Sequence, residues 1–161
     1  MITNITERKL LEEHTRQRIE ELTKVLDVAP VAIFIGHDPK SHNITGNRTA
    51  YELFETEVGE NISASTTSMR RFFCKGRELT AEELPMQKAS LKNIDVRNVE
   101  FDMLLPSGEY RSLLGSASPL HDADMQVRGS VGVFMDITER KQAEEALRAC
   151  LKIQPDLTIE I

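Results

Sequence analysis

The sequence is poor in the residues that mark an exported or disulfide-stabilised protein. Its 161 residues include two cysteines, Cys74 and Cys150, which are far apart and lie in charged surroundings. This pattern argues against a disulfide framework and against a thiolate metal cluster, and it favours a reducing compartment. No run of about 18 apolar residues is present, and the N-terminus lacks the pattern of a secretory signal. We therefore predict a cytoplasmic segment that makes no membrane contact.

Charge and missing motifs exclude further classes. The formal net charge is −6, from 20 basic and 26 acidic side chains. No basic stripe is present to neutralise a phosphate backbone, so we expect no nucleic-acid partner. No Ser-His-Asp order, Walker motif or phosphate-binding glycine loop occurs, and a turn explains Asp122 and Asp124 without a metal. The histidines lie in linkers or turns without a second ligand at metal spacing: His14, His37, His42 and His121. We predict no active site and no metal site.

A long helix opens the chain. The stretch from Thr6 to about Leu26 is rich in Glu, Arg, Leu and Lys and contains no Gly or Pro. Apolar or small residues recur every three or four positions and form one narrow stripe, namely Leu11, Thr15, Ile19, Leu22 and Leu26. The stripe could pack on its own domain, but a second copy of the helix would bury it more economically. We predict a homodimer through Leu11, Ile19, Leu22 and Leu26.

The middle of the chain predicts short elements. After Pro30, residues 31–35 form an apolar, partly β-branched run typical of a strand, and the polar stretch 41–46 fits a second, edge strand. Residues 47–54 have a helical pattern, whereas 55–75 give no clear pattern. Thr80 and Glu83 have the spacing of a capping box and Pro85 suits a first turn, so one helix is expected over 81–92.

The last part of the chain alternates with a period of two. The pattern predicts three sequential antiparallel strands. The first has apolar residues at 99, 101, 103 and 105, a turn at 106–109 leads to the second over 110–119, and an Asp-rich turn leads to the third, which alternates over 127–135. Asp136 ends the third strand and Glu139 follows at capping-box spacing, so the strand should pass directly into a helix that Pro155 ends. Residues 155–161 receive no assignment.

A short repeat links the two ends of the chain. Residues 4–9 (NITERK) match residues 136–141 (DITERK) in all but the first position, where Asn and Asp are both good N-caps. A repeat at long spacing indicates an array, in which the first copy is the tail of a preceding module. Chance, or two similar helix caps, is the alternative.

These residues together resemble the PAS domains of sensor histidine kinases and related regulators. The segment DITERK after the strand GSVGVFMD is similar to the motif that ends such domains, and APVAIFIGHDP, ITGNRTAYELF, PSGEYRSLLGSASPL and HDADMQVRG resemble other PAS strands and hairpins. The resemblance implies an α+β fold, with a five-stranded antiparallel sheet in the order 2-1-5-4-3, short helices on one face and a pocket between them. It divides the chain into a linker helix (1–27), a PAS sensor domain (28–137), a signalling helix (138–154) and a tail (155–161).

The resemblance also carries functional expectations. Asp136, Ile137 and Thr138 match the motif that joins sheet and outgoing helix, and we expect them to couple the two. Photoadduct-type flavin is disfavoured because Cys74 lies in FFCKG and not in NCRFLQ, and helix-histidine haem is disfavoured because 81–92 contains no histidine. The expected function is a non-catalytic sensory, relay and dimerisation module, with adjacent PAS or histidine kinase domains and a small-molecule ligand as partners. One alternative is a structural spacer that binds no ligand. The other is a cryptic hydrolase, which is remote because the sequence shows no nucleophile together with a general base.

Overall fold

Two long helices, α1 and α4, precede and follow a central sheet along the chain. The computed structural model describes residues 2–63 and 69–153. The first helix, α1, spans Ile2–Val28, and the last, α4, spans Thr138–Ile153. We expected Asn4 to cap the first helix, but this was wrong, because α1 already begins at Ile2 and Asn4 lies inside it. Residues 155–161, which received no assignment, lie outside the described part of the chain.

The sheet is antiparallel and contains seven strands within the described residues. They are β1 (Ala32–Gly36), β2 (Ile44–Gly46), β3 (Arg71–Cys74), β4 (Arg77–Glu78), β5 (Val96–Leu104), β6 (Tyr110–His121) and β7 (Val127–Asp136). Their spatial order is β2-β1-β7-β6-β5-β3-β4. The expectation of five strands in the order 2-1-5-4-3 was therefore wrong.

The two unexpected strands, β3 and β4, come from the part of the sequence that gave no clear pattern. β3 pairs with the edge of β5, where Phe72 lies opposite Met103, and β4 pairs with β3 in turn. The Leu79 amide donates to the Phe72 carbonyl at 2.7 Å and closes this small hairpin. Because strands of four and two residues are too short to show alternation, their existence depends on the long-range pairing with β5.

Two short helices, α2 and α3, pack on one face of the sheet. α2 spans Arg48–Leu53 and α3 spans Pro85–Lys92. The single helix expected over 81–92 was wrong, because a 3₁₀ turn at Ala81–Glu83 precedes α3 and Leu84 between them is extended, with φ −69° and ψ 148°. Pro85 explains the break, since a proline disfavours the helical conformation of the residue before it.

The hydrophobic core lies between these helices and the sheet. Phenylalanines from β1, β3, β5 and β7 and from the end of α2 meet there, at centroid separations from 5.1 to 6.4 Å: Phe34, Phe54, Phe72, Phe101 and Phe134. Met103, Leu105 and Leu113 are at most 2% exposed. The inward residues of the alternating strands thus form one core, as the period of two predicts.

Within the described residues, no helix combines the length and the apolar character that a membrane crossing requires.

Candidate functional site

A small apolar cavity lies inside the core, between α3 and the sheet. Its volume is about 40 Å³. Its walls are the five core phenylalanines together with Ile44, Ile62, Leu84, Pro85, Met86, Gln87 and Leu113. Small-molecule pockets usually measure about 300–1,000 Å³. The core is therefore nearly filled in this structure, and a drug-sized ligand would enter only if the walls moved apart.

The corner between β7 and α4 is made by the three residues that the sequence singled out. Ile137, which joins strand and helix, is 4% exposed, and its amide donates to the Ser112 carbonyl at 2.8 Å. The Ser112 amide donates to Thr138 Oγ1 at 2.9 Å, and Asp136 Oδ1 accepts from the Thr138 amide at 2.9 Å. The Thr138 hydroxyl donates to the same carboxylate oxygen. Strand and helix are therefore joined without a loop.

An exposed ion-pair cluster holds the first turn of α4 against β5. Glu100 pairs with Arg140 at 3.4 Å and with Lys141 at 3.5 Å. Exposed pairs of this kind contribute about 0.2–1 kcal/mol each, and salt weakens them. They link α4 to β5 and contribute little to the stability of the fold.

One strand connects the cavity to the corner. Phe134 of β7 lines the cavity, and Asp136, the last residue of the same strand, begins the corner. The packing around Phe134 is close, since a Cβ on Gly115 would lie 2.2 Å from the Phe134 ring. The cavity wall and the corner are thus two residues apart on one closely packed strand.

The predicted dimer stripe on α1 is exposed. Leu11, Ile19 and Leu22 are 67%, 59% and 62% exposed, and Leu26 is partly buried. The main tie from α1 to its own domain is at its end, where Asn47 Nδ2 donates to the Leu26 carbonyl at 2.6 Å. The structure therefore does not show the stripe packed on its own domain, which was the alternative.

The other candidate side chains have local partners. Cys74 is partly buried, and its thiol donates weakly to the Glu100 carbonyl at 3.7 Å. Of the two phenylalanines that precede it, Phe72 lies in the core and Phe73 faces Tyr110 on the outside. Asp122 Oδ1 accepts from the amides of Asp124 and Gln126, as a turn requires. No cluster of three His, Cys, Asp or Glu side chains suited to a metal occurs among the residues that the structure describes.

The roles of two buried polar residues, Gln87 and Asn47, were missed by the sequence analysis. Gln87 faces the cavity although a glutamine in a helix is normally assigned to solvent. Asn47 was expected only to start a helix, yet its side chain also binds β1 and the end of α1. Neither position carries a sequence signal that distinguishes a buried role from an exposed one, since Gln87 is followed by Lys88 and Asn47 by Arg48.

Comparisons with known proteins identify the fold. No protein-family model matches the chain, and no curated protein matches it. Solved structures do match. The PAS domain of an HTR-like protein from Haloarcula marismortui is 15% identical, with a TM-score of 0.55 over 80% of this chain and 99% of that one. A sensory box histidine kinase/response regulator from Burkholderia thailandensis is 18% identical, with a TM-score of 0.50 over 84% and 98%.

A third match is an RNA-binding light-oxygen-voltage receptor, 16% identical, with a TM-score of 0.58 over 89% of this chain and 40% of that one. At such identities the likeness establishes the fold and nothing finer. The chain has the α+β fold of PAS domains, with one antiparallel sheet. The structures that share this fold include sensor and receptor proteins.

Proposed function

We propose that this chain is a sensory, signal-relay and dimerisation module of a cytoplasmic signalling protein, foremost a histidine kinase. In this proposal residues 28–137 form the sensor domain, the helix over 138–154 carries its output, and the helix over 1–27 brings input from a preceding module. The module itself performs no catalysis.

The observation that carries the proposal is the corner at Asp136, Ile137 and Thr138. Ile137 is buried, and hydrogen bonds from both sides of the junction connect it to Ser112 of the neighbouring strand. A strand and a helix joined in this way move together, so a ligand or an upstream change that favours one sheet geometry also favours one position of α4. Such a joint is what a relay needs.

Dimerisation through α1 completes the proposed relay. The stripe at Leu11, Ile19 and Leu22 is exposed along one side of a 27-residue helix, and pairing with a second copy would bury it. The repeated segment ITERK supports the input role. In α4 its Arg140 and Lys141 bind the sheet, and α1 would bind the sheet of a preceding module in the same way.

A structural spacer without ligand is the second candidate. The cavity volume of about 40 Å³ favours it, because a filled core needs no ligand to be stable. In that case the chain would transmit the state of the preceding module through the corner without sensing anything itself. In either case we propose that photoadduct-type flavin and helix-histidine haem are not its cofactors.

The exclusion of nucleic acid depends on charge and not on fold. One matched structure is an RNA-binding receptor, so the fold itself is compatible with such a role in another protein. For this chain the net charge of −6 opposes it, because a phosphate backbone requires a basic surface.

A substitution at the corner tests the relay in the intact signalling protein. Asp136→Ala removes the acceptor of the Thr138 amide and hydroxyl, and we expect it to weaken the dependence of kinase output on input at least several-fold. Asp124→Ala, on an exposed turn, is the matched control. Unchanged coupling in the Asp136→Ala protein would contradict the relay.

Native mass spectrometry of the 161-residue chain separates the sensor from the spacer. The sensor proposal predicts a dimer that carries, or acquires from cell extract, a small molecule of defined mass. A dimer that stays free of added mass, with no thermal shift in a ligand screen, would support the spacer.

A further inference from the structure

Gln87 is the polar side chain in the cavity wall. The other eleven lining residues are apolar, five of them phenylalanines. Gln87 comes from the first turn of α3 and is only 4% exposed. A glutamine amide carries two donor hydrogens and an acceptor oxygen, and burying it without partners costs free energy.

The Gln87 amide makes no hydrogen bond to another described residue, although the neighbouring Ser90 hydroxyl donates to the Gln87 backbone carbonyl at 3.2 Å. In the described part of the chain, no side-chain nitrogen or oxygen that is fully closed off from solvent lacks a partner. The unbonded amide therefore borders open space, and the cavity is the space that Gln87 lines. A water molecule can meet this amide in the ligand-free chain, and a ligand with a hydrogen-bonding group could take the place of that water.

The cavity wall restricts the chemistry of that partner. No charged side chain lines it, so a carboxylate or an ammonium group would be buried without a counter-charge, at high cost. The phenylalanines suit an apolar or aromatic body, and the amide suits one neutral hydroxyl, carbonyl or carboxamide group.

The size of the cavity adds a condition. An apolar cavity of about 150 Å³ holds benzene, and this cavity measures about 40 Å³. A ring-sized ligand therefore has to displace part of the wall. Met86 is suited to move, because its unbranched side chain has three rotatable bonds, and it contacts β7, where a Cβ on Gly132 would lie 2.8 Å from Met86 Cγ.

We propose that Gln87 is the recognition residue of a ligand site for small, neutral, mainly apolar molecules that carry one hydrogen-bonding group. This inference deepens the proposed sensory function and rests on it. Binding would push Met86 against β7, the strand that ends at the corner, and so connect recognition to the position of α4.

Phenol and toluene test the inference, because they have similar shapes and differ by one hydroxyl group. Both are titrated into the ¹⁵N-labelled 161-residue chain, and backbone and side-chain amide shifts are followed by NMR. We expect saturable shifts around the cavity with phenol, including the Gln87 side-chain NH₂ signal. Benzoate, which adds a charge, should give no saturable shift.

Gln87→Leu keeps the approximate volume and removes the amide. We expect the ratio Kd(toluene)/Kd(phenol) to fall about tenfold relative to the wild-type chain, which is the effect of one hydrogen bond to the ligand. Gln142→Leu, on the exposed face of α4, is the matched control and should leave the ratio unchanged. An equal ratio in the wild-type and Gln87→Leu chains, or the absence of saturable binding by either probe, would overturn the inference.

The stability of the ligand-free chain gives a second readout. Because Gln87→Leu replaces an unpaired amide by an apolar group in an apolar site, we expect Tm to rise by a few degrees, about 2–5 °C. A fall in Tm would assign Gln87 a structural role and count against the site. If the probes fail to bind while Asp136→Ala still uncouples the intact protein, the ligand site is wrong and the relay stands.

Discussion

At the scale of single residues, Asn47 joins three elements through one side chain. Its Oδ1 accepts from the Ile33 amide and the Ala50 amide, both at 3.0 Å. Its Nδ2 donates to the carbonyls of Leu26 and Val31 at 2.6 and 2.9 Å. The side chain is 5% exposed, so these four hydrogen bonds replace water at the meeting point of α1, β1 and α2.

We predict that Asn47→Ala lowers the free energy of unfolding by about 3 kcal/mol, because it removes a helix cap and leaves partly buried groups without partners. Asn47→Asp is the informative comparison. Asp caps helices as well as Asn does, but here its second oxygen would face two carbonyl oxygens, so we expect a loss of about 2 kcal/mol. Urea unfolding at neutral pH measures both. An Asn47→Asp chain with an unchanged free energy of unfolding would show that the Asn47 side chain acts only as a helix cap.

Glu83 makes a contact whose strength depends on pH. Hydrogen bonds from the Arg77 guanidinium, with smaller contributions from Thr80, lower the pKa of Glu83 to about 2 from 4.5, although partial burial acts in the opposite direction. Because the folded-state pKa is the lower one, the stabilisation is complete above pH 4.5 and is lost as the pH falls towards 2.

The prediction concerns the slope of stability against pH. Glu83→Gln should reduce the decline of the unfolding free energy between pH 4.5 and 2, whereas Glu82→Gln, one residue earlier, should leave it as in the wild-type chain. Thermal or urea unfolding across this range measures the slope. An unaltered slope in the Glu83→Gln chain would mean that the contact with Arg77 is not kept in solution.

At the scale of elements, α1 is a long helix that its own domain leaves mostly uncovered. Its apolar residues Leu11, Ile19 and Leu22 are exposed, although most of the stability of a helix in a protein comes from packing its apolar face. We expect a second copy of the same helix to bury these residues in a dimer. We predict that Ile19→Glu with Leu22→Glu shifts the chain from dimer to monomer at equal concentration.

Sedimentation velocity at about 50 µM protein measures this change. At that concentration a dimer with a micromolar Kd is mostly assembled. Gln17→Glu introduces a charge on the opposite side of α1 and serves as the control. A monomeric wild-type chain, or a dimer that survives the double substitution, would contradict dimerisation through this stripe.

The elements differ in how far their residues predict them. β5, β6 and β7 are long, and their alternation over nine or more residues is visible in the sequence. β3 and β4 are short and exist through pairing with β5, and the break at Leu84 arises from one proline inside an otherwise helical pattern. Local patterns predict the first kind and not the second.

At the scale of the whole molecule, the corner and a pocket between helices and sheet were predictable, but the lining and the volume of the cavity were not. Asp136, Ile137 and Thr138 lie in one continuous segment, so a local motif could identify their place at the end of β7. The cavity gathers side chains from residues 34 to 134, and its volume depends on how they pack. Gln87 illustrates the difference, because only the assembled core shows that its amide has no protein partner.

The proposed relay requires that β7 and the first turn of α4 move together as one rigid unit. Its hydrogen bonds include the Ile137 amide to the Ser112 carbonyl at 2.8 Å and the Lys141 amide to the Ile137 carbonyl at 2.9 Å. Native-state hydrogen exchange of these two amides, compared with amides in the middle of β7, measures it directly. We expect the protection of the Ile137 and Lys141 amides to lie within about tenfold of that in β7, and to fall at both positions in the Asp136→Ala chain. Exchange at these two amides a thousandfold or more faster than in β7 would contradict it.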